Sequence, residues 1–483
     1  MDFVQTKAKV ISDATGVSDE IPVLLTSAGV VEPLVDFVLS HSHDRSTTWM
    51  NNVVRAARLF LQFSQANFIA VSNPEELFRQ FVLRLSSGTI GTTGLDPSGL
   101  YWLPTSPQTS RMLVGCLTEL SAWLENNRSA INLNPPRVAS PHERALDSLA
   151  NEYRRNKAFL SHILRETDTS TTTSMRAQRS PKVDEELAIA FPEEHFARLI
   201  TTGFSCAGVV NLRDVLITLL MHGAGFRTSE CFHLWVHDVV EDPSDPTVAL
   251  VRIHHPRFGT APMDWLNERG QPRHCNREAY LRGRYGLAPR DKVLGSMAAG
   301  WKNPMLDGKY FMRAHWFPQE YGRIFLSLWR IYLRQLAVVE RHHPYAFVSL
   351  SGPTSGGAYS IDAYQEAHRR AVNRCGLLVA KDEGTTPHGH RHSFGQALRR
   401  GGVQPRLIQK AMHHKSLASQ AVYTVPTTAE TDAELNRAFS KLADVGAQTS
   451  DLTVDDILRH GFDDVDPDGL LSGTSPRLMR GRA

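Results

Sequence analysis

Residues 385–402 read TTPHGHRHSFGQALRRGG, and residues 405–426 read PRLIQKAMHHKSLASQAVYTVP. In the first stretch Thr386 suits a helix cap, Pro387 the first helical position, and Gly401-Gly402 the end. His388 and Arg391 stand three apart, so a helix sets them on one face of its first turn. Free amides and a partial positive charge at a helix N-terminus favour a phosphate there. An imidazole and a guanidinium at that end add donors for non-bridging phosphate oxygens. By itself H-x-x-R is a weak pattern, since a capped surface helix with solvated charges fits it equally well. The second stretch adds weight. Ser416 suits the cap of a further helix, Tyr423 falls on it, Pro426 stops it, and His414 stands nine residues before Tyr423.

Upstream, MHGAGFRTSECFHLWVHDV (221–239) supplies Gly225, Arg227 and Glu230 as G-x-R-x-x-E before a strand-like run. Arg227 alone would pass as a basic residue complementing a helix dipole. Together these boxes resemble the tyrosine recombinases, the phage integrase family. That family shows an earlier arginine in such a box, then H-x-x-R, a leucine-rich helix, a Gly-His turn, and a tyrosine nine residues after the histidine. Two departures stand out. His413 replaces the usual glycine, and the interval from Arg227 to His388 is long for the family. The opening of the chain and its GWKNP segment (300–304) resemble the gamma-mobile-trio branch of those recombinases.

The resemblance implies a division of labour. Arg227 and Arg391 would hold a DNA phosphate, with His388 and His414 beside it, Glu230 bracing the site and Tyr423 as nucleophile. A hairpin lysine would act as general acid towards the leaving 5′ oxygen. Lys302 and Lys309 both lie in GWKNPMLDGKYFMRAHWFP (300–318); Lys302 is preferred because the family lysine sits at or just before the turn. Lys309 is the alternative and Arg257 a distant third. Two arginines give permanent, bidentate charge to a phosphate. The phenol of Tyr423, with an ordinary pKa near ~10, needs a base, and His388 suits that task. The phosphotyrosine intermediate, 3′-linked by resemblance, conserves bond energy, so no ATP, metal or other cofactor is expected.

The rest of the chain sets bounds. At 483 residues it is long enough for two domains. Its composition, 41% apolar and 21% charged, is ordinary for a globular protein. A net charge of +3 permits nucleic-acid binding without indicating it. Five scattered cysteines form no C-x-x-C pair and suit a reducing compartment. The start, MDFVQTKAKV, has no apolar signal core and no long apolar run follows, so a cytoplasmic, nucleoid-associated bacterial protein without membrane contact is expected.

The expected organisation is an N-terminal extension (1–21), a helical DNA-binding domain of four or five helices (22–166), and a Ser/Thr-rich linker (167–184). A catalytic domain (185–445) with a basic insertion (256–292) and an acidic tail (446–483) would follow. The fold class is mainly α with a small antiparallel β-sheet (α+β), and the resemblance implies a C-shaped clamp on DNA. Arg55 and Arg58, on the amphipathic run TWMNNVVRAARLFLQFSQANF (48–68), and Arg257 are candidate contacts to DNA backbone.

Double-stranded DNA is the expected partner, with a dimer or tetramer on it and possible accessory proteins encoded by the same mobile element. His254, His255, His274 and Cys275 lack zinc-ligand spacing, so no metal is expected from them. Trp316 and Trp329 read as core aromatics, and no Walker A sequence occurs. Rival functions are a degenerate DNA-binding regulator, a type IB topoisomerase or telomere resolvase sharing the chemistry, and a zinc-dependent nuclease.

Overall fold

The structure is a computed structural model. It describes residues 3–11, 16, 18–69, 71, 73–145, 148–149, 171–177, 189–206 and 208–415. Ser416, Tyr423, Pro426 and the acidic tail therefore lie outside the described residues, as does most of ERALDSLANEYRRNKAFLSHILRE (143–166) and of 167–184.

The described residues of the expected N-terminal extension (1–21) include strands. β1 (Val4–Ile11) pairs antiparallel with β2 (Ser18–Thr26), and β2 with β3 (Gly29–Val30). Ile21, Val23 and Leu24 of β2 are buried in the first hydrophobic core. This corrects the expectation of a purely helical unit opening at residue 22. The strand signal was weak because β1 is mostly exposed and polar, and β2 buries four residues in a row instead of alternating.

Helices α1 (Glu32–Ser40), α2 (Thr47–Asn67), α3 (Pro74–Ser87) and α4 (Pro107–Arg128) complete that core. Their starts follow local chemistry. The side chains of Ser46, Asn73 and Ser106 accept from amides of the first turn, and α1, α3 and α4 carry proline at the start. On α2, Met50, Val53, Val54 and Ala57 recur at helical spacing and are buried. Phe78 and Phe81 of α3 and Leu113 and Leu117 of α4 meet them. The short pair β4 (Pro136–Val138) and β5 (Thr171–Thr173) follows. Met175 packs on this first core, so the described part of the expected linker belongs with the N-terminal residues.

A second core is built around α6 (Leu212–Ala224), buried at every residue from Arg213 to Ala224. α5 (Glu193–Arg198), continued by a π turn over 199–203, and a two-stranded ribbon of β6 (Ser205–Cys206) and β7 (Val209–Val210) lead into it. After α7 (Thr228–Cys231) comes an antiparallel sheet of order β10-β9-β8, from β8 (Val239–Asp242), β9 (Asp245–His254) and β10 (Phe311–Arg313). α9 (Glu320–Ala337), α10 (Ile361–Arg374), α11 (Pro387–Arg400) and α12 (Pro405–Ala411) follow in order. Trp329 is fully buried in this core and Trp316 packs against it, as core aromatics should. The fold is mainly helical with small antiparallel sheets.

The excursion between β9 and β10 is packed. Its short helix α8 (Arg277–Tyr280) brings Tyr280 and Leu281 onto Trp235 and Tyr345. Arg277, 1% exposed, forms a bidentate ion pair with Asp238. So buried a charge is costly unless paired, which ties the segment to the second core. The same excursion reaches the first: Lys292 Nζ donates to the Ser42 carbonyl at 2.7 Å and the Leu294 amide to Glu20 at 3.1 Å.

Candidate active site

Each candidate side chain is held by a local device. α6 ends at Gly225, whose φ of 70° is the left-handed C-cap glycine accepts without strain. The amides of Gly225 and Phe226 close the turn on Met221 and Leu220. A Cβ at Gly225 would lie 2.3 Å from the Phe394 ring of α11, so the missing side chain also lets the two helices close together. Arg227 follows at the cap of α7. Its main-chain amide and its Nη1 donate to the two oxygens of the buried Glu230, at 2.8 and 2.6 Å. Glu230 thus fixes both backbone and guanidinium, and the Arg227 side chain stays 22% exposed.

Helix α11 starts as expected, with Thr386 at the cap and Pro387 next, although the Thr386 side chain makes no capping bond. His388 is exposed, whereas Arg391 is only 1% exposed. The three-residue spacing therefore brings them near each other without giving them equal access to solvent. The Arg391 guanidinium donates to the Gly225 carbonyl and, at 2.7 Å, to the Met412 carbonyl, with Glu230 4.0 Å away. It thus links α6, α11 and the turn after α12.

That turn holds His413 and His414. His413 has φ 55°, in the left-handed region, which explains why a glycine is usual there. Its ring stacks on Phe226 with centroids 5.3 Å apart, and its Nε2 donates to Asp307 at 2.8 Å. His414 is 3% exposed. Burial first, then the charges of Arg391, Arg227 and His413, lower its pKa to about 3. For His388 the surrounding protein does the same, joined by Arg391, Lys302, Arg227 and Lys381, and its pKa falls to about 4. Both imidazoles are neutral at pH 7.

The two candidate lysines stand in different local settings. The charge of Lys302 is one of those that lower the pKa of His388. Lys302 is exposed, on the 301–306 loop, which is tied to the His413 turn by the Met305 amide donating to the His413 carbonyl at 3.1 Å. Lys309 lies in the tight turn before β10. Arg257 is engaged elsewhere, paired with Asp291 at 3.1 Å. Arg55 is exposed on α2 and Arg58 half-buried. Tyr423 lies outside the described residues, eight beyond the last of them in that segment.

Sequence reading missed Asp307 and His315. Asp307 accepts from His315 Nε2 at 3.3 Å, His413 Nε2 and the Arg313 amide. No pattern in the chain marks these residues, because eight and then 98 positions separate Asp307, His315 and His413. A second surprise lies beneath α11. The buried His390 meets His368 at 2.8 Å and His222 at 3.2 Å, so it faces other histidines of the core. His254, His255, His274 and Cys275 form no ligand cluster among the described residues.

Permanent cations and neutral imidazoles gathered in one place define a centre suited to hold an anion and to move protons. Residues 331–430, which include His388, Arg391, His414 and Tyr423, match the Phage integrase family. Proteins called Integrase/recombinase from Escherichia coli and Pseudomonas aeruginosa are each 24% identical over 259 residues, 50% of this chain and 61% of theirs. The match thus spans less than two thirds of those relatives' length. Tyrosine recombinase XerD of Corynebacterium glutamicum is 33% identical over 69 residues, 14% of this chain and 21% of that one. Among solved structures, a XerH site-specific recombinase bound to difH substrate in a pre-cleavage complex aligns at 14% identity and TM-score 0.45. That alignment covers 80% of this chain and 79% of the other. The matches reach the family and not its gamma-mobile-trio branch.

Proposed function

We propose that the chain is a site-specific DNA recombinase that cleaves and rejoins double-stranded DNA through a 3′-phosphotyrosine at Tyr423, integrating or excising a mobile element. The observation that carries this is convergence: Arg391 bonds to the Met412 carbonyl beside the His414 turn and lies 4.0 Å from Glu230, which holds Arg227, while the charges of both arginines reach His388 and His414 and that of Lys302 reaches His388.

In this reading the part-exposed Arg227 meets the scissile phosphate directly, stabilising the negative charge that grows on its oxygens. Arg391 sits behind it, keeping the phosphate side of the pocket positive and holding the turn of His413 and His414 to α11. His388, neutral and exposed, accepts the phenolic proton. A phosphate anion offsets the cations that, after burial, depress its pKa, raising its basicity on binding. Lys302 protonates the departing 5′ oxygen. The second strand end attacks the phosphotyrosine and restores the phenol. Residues before about 166, with Arg55 and Arg58, grip the duplex backbone, and the protein works as a dimer or tetramer on its site.

The test is to trap the intermediate. A nicked duplex that loses its 5′ fragment after cleavage should leave a protein–DNA adduct that survives boiling in detergent. Specific DNA binding without any adduct, under conditions that give complete occupancy, would favour the degenerate regulator. Free 3′ ends without adduct would favour a nuclease.

A further inference from the structure

We propose that Asp307, His315 and His413 form a binding site for one divalent transition-metal ion of the zinc class, separate from the phosphate centre. Asp307 opens the turn into β10, His315 stands just after that strand, and His413 lies in the turn after α12. The Asp307 carboxylate is 2.8 Å from His413 Nε2 through one oxygen and 3.3 Å from His315 Nε2 through the other. One donor atom from each residue falls within 4.8 Å of the other two. Zinc bonds to nitrogen and oxygen are about 2.0–2.2 Å long, which sets ligand atoms about 3.4 Å apart in a tetrahedron. Side-chain shifts of a few tenths of an ångström to about one ångström would close the three donors around one ion.

The site is built for this. Both imidazoles present the same nitrogen, Nε2, to the carboxylate. The His413 ring is fixed by its stack on Phe226, and the His315 ring runs alongside at 5.9 Å and 29°. The Asp307 carboxylate is further fixed by the Arg313 amide, which donates to it at 2.7 Å. His413 is fully buried while His315 keeps 35% of its surface exposed, which leaves a way in for the ion and a fourth position for water. Two imidazole nitrogens and one carboxylate suit zinc, cobalt or nickel and not the all-oxygen preference of magnesium or calcium.

An ion here would fasten three pieces of chain: the loop that carries Lys302, the end of β10, and the turn that carries His414. Its role is structural, since none of the three ligands is among the candidates for the phosphate.

The experiment uses the full chain, stripped of metal and titrated with Co2+ alone, read by visible absorption and thermal melting. One Co2+ per chain should saturate a band that Zn2+ removes, and the melting temperature should rise. His315→Ala and Asp307→Asn should each weaken binding at least tenfold. His392→Gln, which removes one of two neighbouring imidazoles on α11 (His388 and His392, ring centroids 4.4 Å apart), should leave binding unchanged. Absence of a saturable site, or a site that survives both His315→Ala and Asp307→Asn, overturns the proposal. His315 is part-exposed, so its variant decides the matter even if Asp307→Asn fails to fold. DNA cleavage is not the readout, so failure here leaves the recombinase reading standing, and the reverse.

Discussion

Arg391 donates through Nη2 to the main-chain carbonyl of Met412 at 2.7 Å, fastening α11 to the turn that carries His414. Its other arm reaches the carbonyl of Gly225, two residues before Arg227. One guanidinium thus sets the mutual placement of the two sequence boxes. The two arginines consequently differ: Arg227 faces outward and Arg391 inward.

This difference has a measurable outcome. Arg227→Ala and Arg391→Ala should each slow single-turnover cleavage by about 10²–10³-fold, as loss of one charge-stabilising donor does. Arg391→Lys should also lower stability by at least about 1–3 kcal/mol, because one ammonium cannot serve both carbonyls. A less than tenfold rate loss for either alanine variant, or Arg391→Lys melting at the wild-type temperature, contradicts the assignment.

The close approach at Gly225 gives a stability prediction. Gly225→Ala meets Phe394 at 2.3 Å and adopts a φ of 70°. Backbone strain and overpacking together should cost about 2–4 kcal/mol. Urea unfolding reads this directly, and an unchanged midpoint would mean that α6 and α11 are not in contact there.

The lysine assignment is tested by the leaving group. Lys302→Ala should cleave ordinary DNA poorly yet recover much of its rate on DNA with a 5′-bridging phosphorothiolate, whose sulfur departs without a proton. Lys309→Ala should lose little on either substrate. Rescue of Lys309→Ala alone would reverse the assignment; rescue of neither variant would remove both lysines from the role of acid.

Buried histidines predict acid sensitivity. Burial lowers the pKa of His233 and His368 to about 3, and burial with neighbouring imidazoles lowers that of His390 well below its ordinary value. Unfolded, each titrates near ~6.5. Between that value and the folded pKa the unfolded chain binds more protons, so stability falls as pH falls. Each group contributes about 1.4 kcal/mol per pH unit across that window. Denaturation at pH 7 and pH 5 should differ by several kcal/mol, and equal midpoints would rule out buried neutral histidines.

What was legible in the sequence follows from the range of the interactions involved. Arg227 with Glu230, and the start of α11 at Pro387, are set by neighbours within one turn, and both were readable. The sheet at residues 4–30 was not, because its burial comes from helices packed over β2 and its own pattern is nearly continuous. The Asp307–His413 bond was hidden for a like reason, since it joins residues 106 apart in sequence. His413 was visible as a departure from the family turn; its stack on Phe226 and bond to Asp307 became apparent only in three dimensions.

The most direct measurement concerns the nucleophile. Wild-type protein should form a covalent adduct on a nicked suicide substrate, and peptide mass spectrometry after nuclease digestion should place the nucleotide on Tyr423. Tyr423→Phe removes only the phenolic oxygen, so it should bind DNA within a few-fold of wild type and form no adduct. An undiminished adduct in Tyr423→Phe, or a nucleotide mapped to another residue, would contradict the account at its centre.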